Sequence, residues 1–125
     1  MNAGNTVLDS SAVLAHFFNE SGAQNVETAL VAGAIVSAAC WSEIKQKITV
    51  RGNSWTEARR TLNAFNVQTE PVTQADAEHA ADLWQPGLGL SLADRLCLAL
   101  GQRLNAEILT ADTAWAGMPG VTVIR

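Results

Sequence analysis

Short apolar runs alternate with longer amphipathic segments along the whole chain. The runs have the length and composition of buried strands. We predict strands at 6–8, 34–37, 107–110 and 121–124, with a weaker one inside 66–71 whose main apolar residue is Val67. Between them, apolar spacing near 3.6 predicts helices at about 11–19, 24–31, 38–51, 54–65, 73–84 and 91–104.

Strands that alternate with helices indicate a mostly parallel sheet covered by helices on both faces. The sequence contains no repeat, no low-complexity segment and no linker-like stretch. We therefore predict an α/β fold: one three-layer α/β/α domain over residues 1–125, with a central sheet of about four to five strands.

Three helices begin with a hydroxyl residue followed three positions later by an acid, which is the pattern of a capping box. The pairs are Ser54 with Glu57, Thr73 with Asp76, and Ser91 with Asp94. Because the pattern recurs, Asp94 can be interpreted as a helix cap as readily as a chemical group.

Composition narrows the class of protein. Apolar residues make up 48% and charged residues 16% of 125 residues, which indicates a compact domain. A net charge of −4 argues against coating nucleic acid by bulk electrostatics. Cys40 and Cys97 lack metal-ligand spacing, so we expect two reduced, buried thiols. With no membrane span or leader in the sequence, we expect a cytoplasmic protein.

Four acids share one predicted location. Asp9 follows the first strand, Glu43 lies in the helix after the second, Asp94 is in the first turn of the last helix, and Asp112 follows the fourth strand. The carboxyl ends of parallel strands meet at one edge of a sheet, where ligands bind. Converging carboxylates repel one another, and hard ions such as Mg²⁺ or Mn²⁺ relieve that repulsion. Taken singly, Glu43 could be a solvated helix residue and Asp112 a turn residue.

The four acids lie in four short segments: Val7-Leu8-Asp9-Ser10-Ser11-Ala12-Val13-Leu14, Ser42-Glu43-Ile44, Leu90-Ser91-Leu92-Ala93-Asp94-Arg95 and Leu109-Thr110-Ala111-Asp112. With these segments the chain resembles the PIN-domain family, in particular VapC-type toxins of bacterial toxin–antitoxin pairs. The resemblance implies a Mg²⁺- or Mn²⁺-dependent endoribonuclease whose four acids hold the metal. It also implies that Ser11 orients Asp9 or a metal-bound water. Arg95 would support the site, or would serve in an ordinary surface ion pair.

The resemblance further implies partners: an RNA substrate, a second copy of the chain and a VapB-like antitoxin whose basic segment meets the carboxylates. Five of the eight basic residues fall between positions 45 and 60. Of these, Lys45, Lys47 and Arg51 follow Glu43 and could bind RNA phosphates, although a solvated helix face explains them equally well.

Two other classes of protein are alternatives. One is a PIN-fold RNA-binding or scaffold module that does not cleave, which usually lacks one or more of the acids. The other is a phospho-receiver or acid-nucleophile phosphatase. These need adjacent acids or an aspartate-x-aspartate near the first strand, and Asp9-Ser10-Ser11 provides neither. The sequence leaves open which RNA is cleaved, whether one or two metals act, and which antitoxin is bound.

Overall fold

A computed structural model describes residues 6–125, which contain five strands, six α-helices and one 3-10 turn. The strands are β1 (Thr6–Leu8), β2 (Ala34–Ser37), β3 (Gln68–Glu70), β4 (Glu107–Thr110) and β5 (Val121–Val123). The helices are α1 (Ser10–Phe17), α2 (Ala23–Ala32), α3 (Ala38–Val50), α4 (Trp55–Ala64), α5 (Gln74–Asp82) and α6 (Leu92–Leu104). The 3-10 turn spans Thr113–Trp115.

All five strands form one sheet in the order β3-β2-β1-β4-β5, and each neighbouring pair is parallel. The central strand β1 pairs Val7 with Ile35 of β2 and with Ile108 of β4. Val7 and Leu8 are fully buried, as a strand covered on both faces requires. The predicted α/β fold with a parallel sheet is therefore confirmed.

Each of the first three connections between parallel strands contains two helices and returns from the carboxyl edge of the sheet to its amino edge. The helices α1 and α3 directly follow β1 and β2 and so begin at the carboxyl edge, and α6 begins there as well, because Asp94 in its first turn lies near Asp9. There α3 and α6 meet: the Sγ of Cys40 donates to the carbonyl oxygen of Ala93 at 3.9 Å. Cys40 and Cys97 are both buried free thiols, as expected from the sequence.

The first helix differs from its predicted extent of 11–19. It begins at Ser10 because Asp9 itself is the N-cap, with Oδ1 accepting the Ala12 N–H at 2.8 Å. It ends at Phe17, and Asn19 then takes a left-handed conformation with φ of 52°. The prediction missed this start because aspartate was treated as a chemical group rather than a cap.

Two of the three predicted capping boxes are complete, those of α5 and α6. In α4, Ser54 Oγ accepts the Glu57 N–H at 3.2 Å, but the return bond from the Glu57 side chain is not made within the described residues. The third strand is real but starts after Val67, which packs against the core instead.

Candidate metal centre at the carboxyl edge of the sheet

Asp9 is the most buried of the four acids, with 3% of its surface exposed. It follows β1 directly, and its carboxylate accepts three donors. Ser11 Oγ lies 2.8 Å from Oδ1 and 2.9 Å from Oδ2, Thr110 Oγ1 donates to Oδ2 at 2.6 Å, and the Ala12 N–H donates to Oδ1. These bonds fix the position of the carboxylate.

Ser11 lies in the first turn of α1 and Thr110 is the last residue of β4. Their hydroxyls connect the segments that follow the adjacent strands β1 and β4. Each hydroxyl has one hydrogen, and in both it points at Asp9. Their lone pairs accept backbone N–H groups of the β4 loop: Ala111 donates to Ser11 Oγ at 2.9 Å and Asp112 donates to Thr110 Oγ1 at 3.0 Å. The hydroxyl pair therefore sets Asp9 and the backbone of Asp112 in one rigid arrangement.

The role of Thr110 was missed from sequence because a threonine at the end of a strand is ordinary. The residue is fully buried, so its hydroxyl needs a partner. A hydroxyl at the end of an otherwise apolar run, two residues before a candidate acid, was the available signal.

Glu43 approaches the site from the first half of α3 and is half-buried. Its Oε1 accepts a hydrogen bond from Ser10 Oγ at 2.8 Å. Ser10 sits between Asp9 and Ser11, so the same short segment orients both Asp9 and Glu43. No role had been assigned to Ser10 from the sequence.

Asp94 caps α6 and also lies close to Asp9. Its Oδ2 accepts the Ser91 N–H at 3.0 Å, and its own N–H donates to Ser91 Oγ at 3.1 Å. Asp76 makes the same box in α5, but its Oδ1 also accepts the Nε of Arg103 at 2.9 Å. Asp94 instead lies near Asp9, where its negative charge acts on the Asp9 carboxyl. The two boxes are alike in sequence and differ in their surroundings.

Asp112 is exposed and caps the 3-10 turn, with Oδ1 accepting the Ala114 N–H at 2.9 Å. The expectation of a turn residue and that of a site residue are thus compatible, because the cap uses one carboxylate oxygen. The backbone of Asp112 is tied to Thr110, which places its side chain at the same edge of the sheet as Asp9.

The pKa of Asp9 reflects its burial at the carboxyl edge. Burial raises the pKa of Asp9 to about 6, even though hydrogen bonds from Thr110, Ala12 and Ser11 lower it, and the charge of Asp94 raises it further. The pKa of the Cys97 thiol beneath is raised well above its usual range, first by its hydrogen bond with Cys40, then by burial and by nearby charges that include Asp9 and Asp94.

The donor set suits a hard divalent cation, because it consists of carboxylate oxygens around one buried acid. Among residues 6–125, however, no three His, Cys, Asp or Glu side chains are already close enough together to hold a metal ion. A bound ion would require Glu43, Asp94 or Asp112 to change rotamer toward Asp9. The half-buried and exposed positions of these three permit such a change.

Arg95 points toward α5 rather than toward the acids. Its Nη1 donates to the carbonyl oxygen of Ala80 at 2.8 Å, which helps to hold α5 against α6. The basic residues on α3 are all exposed. Arg51, the C-cap of α3, stacks its guanidinium over the Phe18 ring at 4.0 Å. A surface cleft next to Ser11 and Asp112 is lined by Lys47 but not by Lys45.

Within the described part of the chain, no helix combines the length and the apolar character needed to cross a bilayer.

The fold and the carboxyl edge of the sheet define the class of protein. It is a parallel α/β domain with strand order β3-β2-β1-β4-β5 and acids at the carboxyl ends of its central strands. The model of the PIN domain matches residues 6–121, and the chain belongs to the PIN-domain family. No protein with a curated description matches it in sequence.

Solved structures of VapC-type toxin–antitoxin proteins share this fold. A toxin–antitoxin complex from Klebsiella pneumoniae is 22% identical with a TM-score of 0.73, over 96% of this chain and 98% of that one. A sarcin–ricin loop cleaving VapC toxin from Mycobacterium tuberculosis is 13% identical, with a TM-score of 0.68 over 91% and 95%. A promoter-bound VapBC complex from Rickettsia felis is 15% identical, with a TM-score of 0.68 over 95% and 96%. At these identities the likeness establishes the fold.

Proposed function

We propose that the protein is a Mg²⁺- or Mn²⁺-dependent endoribonuclease that acts as the toxin of a toxin–antitoxin pair. The observation that carries the proposal is the arrangement of Asp9. It is a buried carboxylate held by three donors at the carboxyl edge, close to the negative charge of Asp94, in a chain of the PIN-domain family. A buried acid with a raised pKa beside another acid is typical of a functional site.

Asp9, Glu43, Asp94 and Asp112 would hold the metal. When bound, the ion would lower the pKa of a coordinated water and stabilise negative charge on the phosphate. The remaining work belongs to the chain. Ser11 and Thr110 donate hydrogen bonds to the Asp9 carboxylate and so fix its orientation.

Ser10 holds Glu43 at the side of the site that faces α3. The Ser91 cap holds Asp94 at the start of α6. Each acid is thus positioned by a neighbouring hydroxyl or amide, so catalysis would need only side-chain adjustment around a rigid Asp9. Arg95 would contribute indirectly, by fixing α5 against the helix that carries Asp94.

The toxin role and its partners rest on the structural relatives, which include a toxin–antitoxin complex and VapBC complexes bound to DNA. We propose by analogy a homodimer, a VapB-like antitoxin whose basic segment neutralises the acids, and action in the cytoplasm as one domain over residues 1–125. Residues 1–5 of that domain prediction lie outside the described residues.

One observation favours the alternative of a PIN-fold RNA-binding or scaffold module that does not cleave. The described residues contain no ready-made group of three metal-binding side chains. A non-cleaving module needs no such group, whereas a nuclease must assemble one when the metal binds. The two functions therefore predict different responses to divalent ions.

The test compares the natural protein with Asp94→Asn. The amide oxygen of asparagine can still accept the Ser91 N–H, so α6 keeps its cap while one negative charge is lost. We expect calorimetry to show Mn²⁺ binding that weakens at least tenfold in the variant, and cleavage of RNA with Mn²⁺ or Mg²⁺ by the natural protein alone. Expression of the natural protein, but not of the variant, should slow growth of the host.

Glu57→Gln is a matched control, since it removes one exposed carboxylate from another capping position. It should bind Mn²⁺ and cleave as the natural protein does. Cleavage retained in Asp94→Asn would remove that residue from the site. RNA binding with neither Mn²⁺ binding nor cleavage would favour the non-cleaving module.

A further inference from the structure

A cleft of about 500 Å³ opens directly beside the candidate metal centre. Its inner end is formed by Ser11 and by Asp112 of the β4 loop, both parts of the carboxyl edge described above. Its outer walls come from the end of α1, from the second half of α3 and from the residues that follow β5. Of the four acids, Asp112 lines the cleft, and Ser11, which donates to Asp9, lies beside it, so the cleft adjoins the carboxyl edge on this side.

Three cationic side chains line this cleft: Lys47, Arg51 and Arg125. Lys47 and Arg51 are four residues apart in the sequence, and the fold brings the distant Arg125 into the same cleft. Two carboxylates, Asp112 and Glu20, share the cleft. The cleft therefore has one more cation than carboxylates, in a protein whose net charge is −4.

Helical geometry explains which α3 residues reach the cleft. Lys47 and Arg51 follow Glu43 by four and eight residues, so all three lie on one face of α3. Lys45 follows Glu43 by two residues and points to the opposite side. Along the helix axis Lys47 and Arg51 are about 6 and 12 Å beyond Glu43, which gives a cationic path of two turns away from the acids.

Two of the cations are held in place by other side chains. Arg51 stacks on Phe18, whose ring also lines the cleft, at 4.0 Å. Arg125 pairs through Nη2 with Glu20 Oε1 at 2.9 Å. A guanidinium fixed by one contact can still present its other N–H groups to a phosphate. Lys47 makes no salt bridge within the described residues, so its ammonium is available.

We propose that this cleft binds the sugar–phosphate backbone of a single RNA strand, with Lys47, Arg51 and Arg125 on successive phosphates and Asp112 at the reacting end. The proposal rests on the proposed ribonuclease function and assigns its substrate path. A single strand suits the cleft because cations track its backbone while apolar surface, here Phe18, contacts its bases or sugars. Lys45 has no part in it.

The experiment measures binding of a fluorescein-labelled single-stranded RNA by anisotropy, in EDTA so that no cleavage occurs, over a series of salt concentrations. Lys47→Gln is the decisive variant, because the side chain is exposed and supports no packing. Lys45→Gln is its matched control: same helix, same loss of charge, outside the cleft. Arg125→Gln and Arg51→Gln test the other two positions.

We expect Lys47→Gln and Arg125→Gln each to weaken binding several-fold and to reduce the slope of log affinity against log salt by about 0.7, the value for one contact to a single strand. Lys45→Gln should leave both unchanged. Arg51→Gln also loses its stacking on Phe18, so its unfolding midpoint is measured alongside. Mn²⁺ binding should be unchanged in Lys47→Gln.

If Lys45→Gln and Lys47→Gln weakened RNA binding equally, the proposed binding in the cleft would be wrong, and RNA would be held by diffuse charge attraction. Absence of RNA binding by the natural protein at low salt would overturn it as well. Neither result decides the ribonuclease proposal. That proposal is tested separately by metal-dependent cleavage and by the Asp94→Asn variant. Conversely, RNA binding through this cleft without any cleavage would support the cleft as an RNA-binding site and would refute the ribonuclease proposal.

Discussion

Replacing Thr110 with valine tests whether its hydroxyl holds the centre together. Valine matches threonine in shape and is well tolerated in a strand, so the change removes two hydrogen bonds and little else. The bond from Thr110 Oγ1 to the Asp9 carboxylate is 2.6 Å long and buried, and the one from the Asp112 N–H to Thr110 Oγ1 is 3.0 Å long.

The magnitude follows from these two bonds. A hydrogen bond to a charged group contributes about 1.5–3 kcal/mol, and an N–H left without its acceptor costs about 1 kcal/mol or more. We therefore expect Thr110→Val to lower the free energy of unfolding by about 3 kcal/mol. With a urea m value near 2 kcal/mol/M, the midpoint would fall by about 1.5 M.

The assay is urea unfolding in EDTA, with Thr110→Ser as the matched variant. Serine keeps the hydroxyl and loses one buried methyl group, which costs about 1 kcal/mol. The Thr110–Asp9 bond favours the ionised carboxylate, so the loss in Thr110→Val should grow as pH rises through the Asp9 pKa of about 6.

Two results would refute the reasoning: a valine variant as stable as the natural protein, or a serine variant less stable than the valine one. Either would mean that the hydroxyl network does not position Asp9. RNA cleavage by Thr110→Ser should survive, while Thr110→Val should lose most of it.

Two further predictions concern the frame around the site. Gly101→Ala should lower the free energy of unfolding by about 1–3 kcal/mol, because the new Cβ would overlap the buried Ile108 side chain. Gln102→Ala, on the exposed side of α6, is the control. A Gly101→Ala variant more stable than the natural protein would contradict this packing. Asp76→Asn should cost about 2 kcal/mol at pH 7, measured by urea unfolding. Burial alone would raise the pKa of Asp76, but hydrogen bonds from Arg103 and Thr73 bring it below its usual value of 3.8. The stabilisation is therefore present above pH 3.8 and disappears as pH falls below it, and an equal loss at pH 7 and pH 3 would contradict it.

Local sequence patterns were sufficient to predict most of the helices and strands. The strand β2 lies where its apolar run predicts. The helix α6 follows its Ser91 cap and ends at Leu104, as the periodicity indicates. These signals work because apolar spacing and capping involve neighbours in sequence. The alternation of strands and helices also placed Asp9 and Asp94 at one edge, since parallel strands share a direction.

Local patterns failed where one residue serves two purposes. The start of α1 was displaced because Asp9 is both cap and candidate ligand. Val67 was assigned to β3 for its apolar side chain, yet it lies just before the strand and packs inward. At Val67 packing against the core outweighed the local preference, whereas at Asp9 the local capping signal itself was overlooked.

The sequence by itself determined the order of the elements, the starts of the helices that begin at Ser or Thr caps, and the edge at which four acids are found. Only the tertiary structure decided what each polar residue faces. Ser91-Asp94 and Thr73-Asp76 are equivalent as sequence, but Asp76 meets Arg103 and Asp94 meets Asp9. Thr110 and Arg125 gain their surroundings from residues about a hundred positions away. Capping and periodicity arise within a few residues, whereas burial and charge environment arise from contacts that form only when the chain folds.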